Sequence, residues 1–521
     1  MRAADRGAVR LWPLAVLAAL LGLALVAIWT VFGEQRQSRI LATIAATIGA
    51  AILGVVWLVL FSRLARATRL GAALGLLVLL VLAGTTLEVR GFSGDMLPIL
   101  AFRWTRPDAG AVLEERTAAP RAAQADDTDL DGDWPQFLGP RRDGTLPEAH
   151  LATDWSARPP RELWRRPVGQ AWSGFAVAGP YAVTQEQRGA EELVTCYGRT
   201  TGTIVWVHRD AARHDDSLGG PGPRATPTIH DGRVLALGGT GILNALDLAT
   251  GRLLWSVDVM RDNGVQPPMY GIAASPLVLG ALVIVPGGSP PAGRSLVAYD
   301  VDSGRRVWAA GDDAAAYGSP VLMQLAGRPQ IVWLGEQHLV AHDPAGGALL
   351  WREPWPAGTE KVSQPVLLAG DRVFVSTGYG VGGKMFHVRD AGGHIEAELT
   401  WETTALKAKL SNVVLHEEHL YGLDDGILVA LDASDGSRGF KGGRYGHGQL
   451  ILAGGVLLIQ SESGDVVLVE AAPRAHRELG RLAALSDKTW NHPALAGRHL
   501  IVRNDREAAC YELPLEGRGD R

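Results

Sequence analysis

Leu243-Asn-Ala-Leu-Asp-Leu-Ala-Thr-Gly-Arg-Leu-Leu-Trp255 returns as Leu296-Val-Ala-Tyr-Asp-Val-Asp-Ser-Gly-Arg-Arg-Val-Trp308, and again as Leu339-Val-Ala-His-Asp-Pro-Ala-Gly-Gly-Ala-Leu-Leu-Trp351. A phrase repeated at about 40–50 residues marks an array of supersecondary units, each unable to bury its apolar face alone. Aligned on the residue that ends the alternating run, the phrase occupies slots at Asp247, Asp300, Asp343, Asp390 and Asp432. Weaker copies place Gly198, Glu470 and Glu512 in the same slot, which makes eight units.

Each unit reads alike. In the second, the pattern predicts strands over 224–230, 233–237, 242–246 and 252–258, with turns at Asp231-Gly232, Gly238–Gly241 and Asp247–Gly251. Asp can bond its own backbone in such turns, and Gly supplies the positive φ that ends them. Four short strands per unit at this period describe a blade of a β-propeller. Eight residues after the slot stands an aromatic: Trp206, Trp255, Trp308, Trp351 and Phe440. The fifth and seventh units depart with Glu398 and Glu478, although Trp401 lies close to the first of these. Large rings at a fixed blade position are expected to fill the gap between adjacent sheets.

The last unit lacks a fourth strand, because the residues after 513 hold Pro514, glycines and charges. Arg161-Glu-Leu-Trp-Arg-Arg-Pro-Val168 carries Trp164 in the right context and precedes the first blade. Paired with the last unit, it closes the ring and leaves no long free edge. The expectation is therefore an all-β, eight-bladed β-propeller over 134–514 with shared-strand closure, followed by a tail over 515–521.

Ahead of it stand three uncharged apolar runs, about 11–32, 40–61 and 70–87. Each is long enough to cross a hydrocarbon core of ~30 Å. A removable leader is one short run followed by a small-residue cleavage site, so these read as a bundle of three transmembrane helices within 1–90. Arg2, Arg6 and Arg10 precede the first run, and Arg63, Arg66 and Arg69 lie between the second and third. The other side has Arg36 and Arg39, then Arg90 with the more distant Arg103 and Arg106, and the modest positive-inside bias puts the N-terminus in the cytoplasm. Three crossings then place the propeller outside the inner membrane, on the periplasmic side. Residues 91–133 read as a linker. Its run Asp127-x-Asp129-x-Asp131-Gly132 begins like an EF-hand loop, but Leu138 stands where the bidentate carboxylate is required.

Net charge is −5, and no basic stripe interleaves with aromatics, so nucleic acid is not an expected partner. The two cysteines, Cys196 and Cys510, fall in the small-residue slot filled elsewhere by Ala245 and Ala298, and are expected to be free and buried. No nucleophile elbow, His-Glu-x-x-His or Cys-x-x-Cys is present, and no catalytic or metal-binding residue is assigned.

The start of each innermost strand gives a second series facing the central channel: Trp172, Arg224, Tyr270, Tyr317, Gln364, Asn412, His447 with Gln449, and Trp490 with Asn491. Lys409 lies near Asn412, and Arg444 near His447. Two readings stand for this series: it satisfies buried backbone around the channel mouth, or it forms a ligand-binding funnel.

The repeat resembles the pyrroloquinoline-quinone (PQQ) repeat shared by quinoprotein alcohol dehydrogenases and BamB-type lipoproteins. Asp133-Trp-Pro-Gln-Phe-Leu-Gly-Pro-Arg-Arg-Asp-Gly144 is similar to the opening segment of PQQ-like propellers that follow membrane anchors. The dehydrogenases hold PQQ between a Trp and a ring of two adjacent cysteines, with calcium on a Glu, an Asn and an Asp, and a further Asp as base. This chain has no adjacent cysteines, and no Glu-Asn-Asp set falls on its channel-facing positions. Trp172 or Trp490 remains able to stack on a planar ligand, and Arg224 or Lys409 to meet its carboxylates. The leading expectation is a membrane-anchored, non-catalytic binding or scaffold module for an envelope protein or a small ligand, with no cofactor. The alternative is a PQQ- and calcium-dependent alcohol or sugar dehydrogenase passing electrons to membrane quinone.

Overall fold

The computed structural model describes residues 12–31, 36–105, 132–288 and 294–516. Arg2, Arg6 and Arg10, the acidic run over 127–131 and the last residues of the tail lie outside them. The chain divides into two compact units, Met1–Asp108 and Ala109–Arg521.

In the first unit, helices span Trp12–Thr30, Arg36–Val56 and Arg66–Thr86, the second continuing as a π-helical turn over Trp57–Phe61. All three are long and apolar enough to cross a membrane. Their large side chains, among them Leu23, Ile52 and Leu80, point outward and stay exposed. A helix apolar on every side is suited to lipid or to a protein interior rather than to water. The stretch read as the start of a linker instead forms an antiparallel hairpin, Leu87–Phe92 with Pro98–Phe102.

The second unit is the eight-bladed propeller. Blades 1 to 6 are contiguous four-stranded sheets running from Ala176 to Arg444, and blade 7 adds strands from Gln449 to Ala483. Blade 8 takes Ala494–Ala496, His499–Arg503 and Glu507–Glu512, then borrows Arg161–Pro167 as its outermost strand. The borrowed strand runs antiparallel with Glu512 opposite Arg161 and Cys510 opposite Trp164. The ring therefore closes as its sequence requires. The innermost strand of blade 2 is shorter than expected: it begins at Thr228, because Pro223 and Pro227 cannot donate ladder bonds.

The slots align in register. The third-strand residues Cys196, Ala245, Ala298, Ala341, Met385, Ala430 and Cys510 face Trp206, Trp255, Trp308, Trp351, Trp401, Phe440 and Trp164. Trp401 thus fills the fifth blade's slot on strands longer than their neighbours. In blade 7 the slot is Gly480, and Trp155, from the segment before the borrowed strand, covers it. Each cysteine is free and fully buried, and burial pushes the Cys510 thiol up to about 12.

The tryptophans lock blade to blade. Trp164, Trp206, Trp255 and Trp308 lie under Gly202, Gly251, Gly304 and Gly347, the glycines that close the next blade's tight turn. The indole N–H of the first three donates to Arg199, Leu248 and Val301 carbonyls at 2.8–2.9 Å. Trp351 breaks the series by donating to Gln330 Oε1 at 2.7 Å within its own blade. At that seam a groove of 620 Å³ opens between the outermost strands of blades 4 and 5.

Candidate binding face of the propeller

The channel is closed from the side where the innermost strands end. Residues 132–146 run across it and touch nearly every blade. The Trp134 backbone exchanges bonds with Val177 of blade 1, and Pro135 accepts from Ile229 of blade 2. Arg142 donates to the Pro276 and Ser275 carbonyls of blade 3 at 2.9 and 3.1 Å, and its own carbonyl accepts from Gln364 of blade 5. Thr145–Leu146 then adds a parallel strand inside blade 7. Arg142 is buried with no carboxylate partner among the described residues, and desolvation lowers its pKa to about 9. Phe137 lies edge-on to His492 at 4.7 Å between centroids.

Above this plug lies a ring of inter-blade hydrogen bonds. The Gly174 N–H donates to Thr226 Oγ1, Thr226 N–H to Ser275 Oγ, and Ser275 N–H to Ser319 Oγ, at 2.9–3.1 Å. Gln364 N–H donates to Asn412 Oδ1 at 2.8 Å, and Asn412 Nδ2 meets His492 Nε2 at 3.2 Å. Burial lowers the His492 pKa to about 3, so the ring nitrogen is neutral and accepts. Gln449 donates to the Leu410 and Trp490 carbonyls, and Asn491 to those of Ala171 and Ser173. Gln364, Asn412, Gln449 and Asn491 therefore bind blades together at this level.

A few residues earlier the chain rises to the mouth, where the rest of the series gathers: two earlier at Trp172, Arg224, Tyr317, His447 and Trp490, three at Lys409 and five at Tyr270. Trp172 and Trp490 meet at 4.9 Å between centroids, tilted by 42°. Lys488 caps both rings, at 4.7 and 4.1 Å. Trp490 donates to Glu462 Oε1 at 2.9 Å, and Glu462 Oε2 accepts the His447 N–H at 3.0 Å. Across the mouth, Tyr270 and Tyr317 rings lie 5.6 Å apart, with Glu360 raising both phenols after burial itself, Tyr317 to about 12. Lys409 stands 4.9 Å over the Tyr379 ring. Arg224 is ion-paired with Asp216 and donates to Gly222 at 2.7 Å. Burial lowers the Arg224 pKa, and the Asp216 charge opposes that shift.

The structure thus separates one list into two tiers. Trp172, Arg224, Tyr270, Tyr317, Lys409, His447 and Trp490 share the mouth. Arg444 is exposed at the end of blade 6's outermost strand and donates at 3.2 Å to the carbonyl of Asp425, whose carboxyl is held near Lys407, His447 and Lys409. The sequence reading missed Lys488, Glu462, Asp216, Glu360 and Tyr379. Tyr379 and Glu462 sit in the turn between the second and third strands, at Gly378-Tyr-Gly380 and Ser461-Glu-Ser-Gly464. A scan of those turns, as well as of the strand starts, finds them.

Among the described residues no group of three or more His, Cys, Asp or Glu side chains is placed to hold a metal ion. Between the first and second blades, burial pushes the Glu192 carboxyl up to about 7, against backbone N–H donors at Gly239 and Thr240.

Residues 190–441 match the family described as outer membrane protein assembly factor BamB. No curated protein matches the chain. The BamB structure from Moraxella catarrhalis is similar at 17% identity and TM-score 0.49, over 68% of this chain and 100% of that one. A europium-containing methanol dehydrogenase is similar at 12% identity and TM-score 0.47, over 73% and 98%. Sqt1 from Saccharomyces cerevisiae is similar at 11% identity and TM-score 0.47, over 67% and 96%.

Proposed function

Starting from a BamB-like PQQ-repeat propeller, we propose that this chain is a membrane-tethered, non-catalytic binding module whose mouth receives a segment of an envelope protein. The observation that carries this is the half-buried aromatic mouth, where Trp172, Tyr270, Tyr317 and Trp490 stand among Arg224, Lys409 and Lys488. Trp, Tyr and Arg dominate the energetics of protein interfaces, since they bury large area while keeping a polar handle. The plug supports a docking surface over a passage. The family description, which names outer membrane assembly, supports an envelope partner.

The residues do not fit PQQ as the dehydrogenases hold it. Trp172 and Trp490 already lie against one another, so no planar ring fits between them. Cys196 and Cys510 are buried in third strands, away from the mouth. Arg224 and Lys409 already face Asp216 and Tyr379. The three apolar helices and the arginine bias support anchoring in the inner membrane with the propeller periplasmic.

A photo-crosslinking residue at Tyr317 or Trp490, introduced into the full chain in living cells, tests the reading. The expected result is one specific adduct, lost on Lys488→Ala and absent when the probe is at Asp231 on the opposite end of the blades. No adduct from either mouth position overturns it. Titration of the purified protein with PQQ and calcium is expected to give no bound chromophore at micromolar cofactor.

A further inference from the structure

The hairpin that follows the third helix has one apolar and one polar face. Leu87 pairs with Phe102 and Val89 with Leu100, side by side on one face, while Glu88 pairs with Ala101 on the other. Val89, Leu100 and Phe102 are about half exposed, and Trp104 just beyond is 67% exposed and stacked on Phe102 at 4.8 Å. The hairpin is fastened to the helices. Arg103 donates to the Gly84 and Leu87 carbonyls at the end of the third helix, and Asp95 pairs with Arg36, at the start of the second, at 2.6 Å.

We propose that this hairpin lies in the headgroup layer of the bilayer that holds the helices, with its apolar face against lipid. The inference rests on the membrane-anchored reading above. Continuity of the chain places it there: the first strand begins at Leu87, directly after the helix ends at Thr86. A strand advances ~3.3 Å per residue, so Glu88 lies within about 7 Å of the helix end at Thr86, and Val89 at most about 10 Å from it. The headgroup layer is about 5–8 Å deep on each side of the hydrocarbon. The second strand returns to the helix end, which puts Phe102 and Trp104 at the depth where aromatic side chains collect. The Arg103 guanidinium at the helix C-terminus suits both the helix dipole and lipid phosphate.

The test uses the full chain in nanodiscs. Cys196→Ala/Cys510→Ala serves as background, since Ala is the residue of that slot in blades 2 to 4. Bimane is attached in turn to Val89→Cys, Leu100→Cys, Phe102→Cys, Glu88→Cys and Leu77→Cys. Quenching by lipid carrying a nitroxide near the headgroup is expected to be about three-fold stronger at positions 89, 100 and 102 than at 88. Leu77→Cys is expected to be quenched by a nitroxide deep in the chains. Equal quenching on both faces, with Leu77→Cys quenched, overturns the hairpin proposal and leaves the anchor standing. An unquenched Leu77→Cys overturns the anchor, and the hairpin with it. Disulfide-linked dimers through Leu100→Cys without lipid quenching assign the face to a second copy and also overturn the proposal.

Discussion

If the tryptophans seat on the turn glycines, two glycines in blade 2 with the same backbone strain must tolerate a methyl group very differently. Gly232 has φ +72 and nothing within 4 Å of a built Cβ; Gly251 has φ +71, and a Cβ there meets Trp206 Cδ2 at 2.5 Å. Ala at either position costs about 1–2 kcal/mol for the left-handed conformation. Only Gly251→Ala must also push an indole ring, which is 7% exposed and hydrogen-bonded to the Leu248 carbonyl at 2.8 Å. Overpacking of that kind adds about 1–3 kcal/mol. Gly251→Ala is therefore expected to lower the urea midpoint clearly more than Gly232→Ala, followed by far-UV circular dichroism on the full chain in detergent. Trp206→Ala is destabilising alone, yet Gly251→Ala added to it should cost only what Gly232→Ala costs. Equal losses for the two glycines, or additivity with Trp206→Ala, would refute the seating of ring on turn.

Arg142→Met leaves the Ser275 carbonyl without its donor inside the channel, while the Pro276 carbonyl keeps its bond from Thr228 Oγ1. Each unsatisfied buried acceptor costs about 1–3 kcal/mol, and limited proteolysis should show the segment over 132–146 cleaved faster than in the parent. Glu192 has its folded pKa raised above its unfolded value, so the protonated carboxyl is the form the fold prefers. Stability should fall as pH rises from the ordinary 4.5 through about 7 and level off above, with a slope of at most ~1.4 kcal/mol per pH unit that Glu192→Gln abolishes. A disulfide between Arg161→Cys and Glu512→Cys, in a background with both native cysteines replaced by alanine, should form on mild oxidation and raise the melting midpoint; absence of the crosslink contradicts the strand register that closes the ring.

The blades were legible because two signals coincide in each: alternation gives the strands, and the Asp-to-Gly turn fixes their register. Where one signal weakens, geometry restores it. Trp401 is three residues late for its slot, yet it faces Met385, because the blade's third and fourth strands are longer than their neighbours. Gly480 carries no ring, and the missing volume comes from Trp155, hundreds of residues earlier in sequence. A repeat reports what each unit does for itself and its neighbours; a part supplied from outside the array leaves no mark at the unit that receives it.

The plug and the mouth were harder to read for that same reason. Residues 132–146 obey no period, since one segment serves all the blades and each contact with it is different: a backbone exchange at Val177, a guanidinium at Ser275, a parallel strand at Leu452. The channel-facing series mixed two tiers because residues two apart in a strand start differ in height by one step along the axis. At the lower step, the backbone N–H groups at the strand starts need an acceptor from the next blade, so Thr226, Ser275, Ser319 and Asn412 each carry an acceptor on a short side chain. At the upper step the N–H groups are met without a short side chain from the next blade, Trp172 and Tyr317 donating to the Pro223 and Lys361 carbonyls and His447 to Glu462, and the residues differ from blade to blade: Trp172, Arg224, Tyr317, His447, Trp490. Chemical uniformity at one level and diversity two residues earlier is what separates a structural ring from a recognition surface. It follows that changes at the half-buried rings Tyr270 and Tyr317 of the mouth should alter binding with little effect on stability, whereas Ser275→Ala in the ring below should lower stability and leave the partner unchanged.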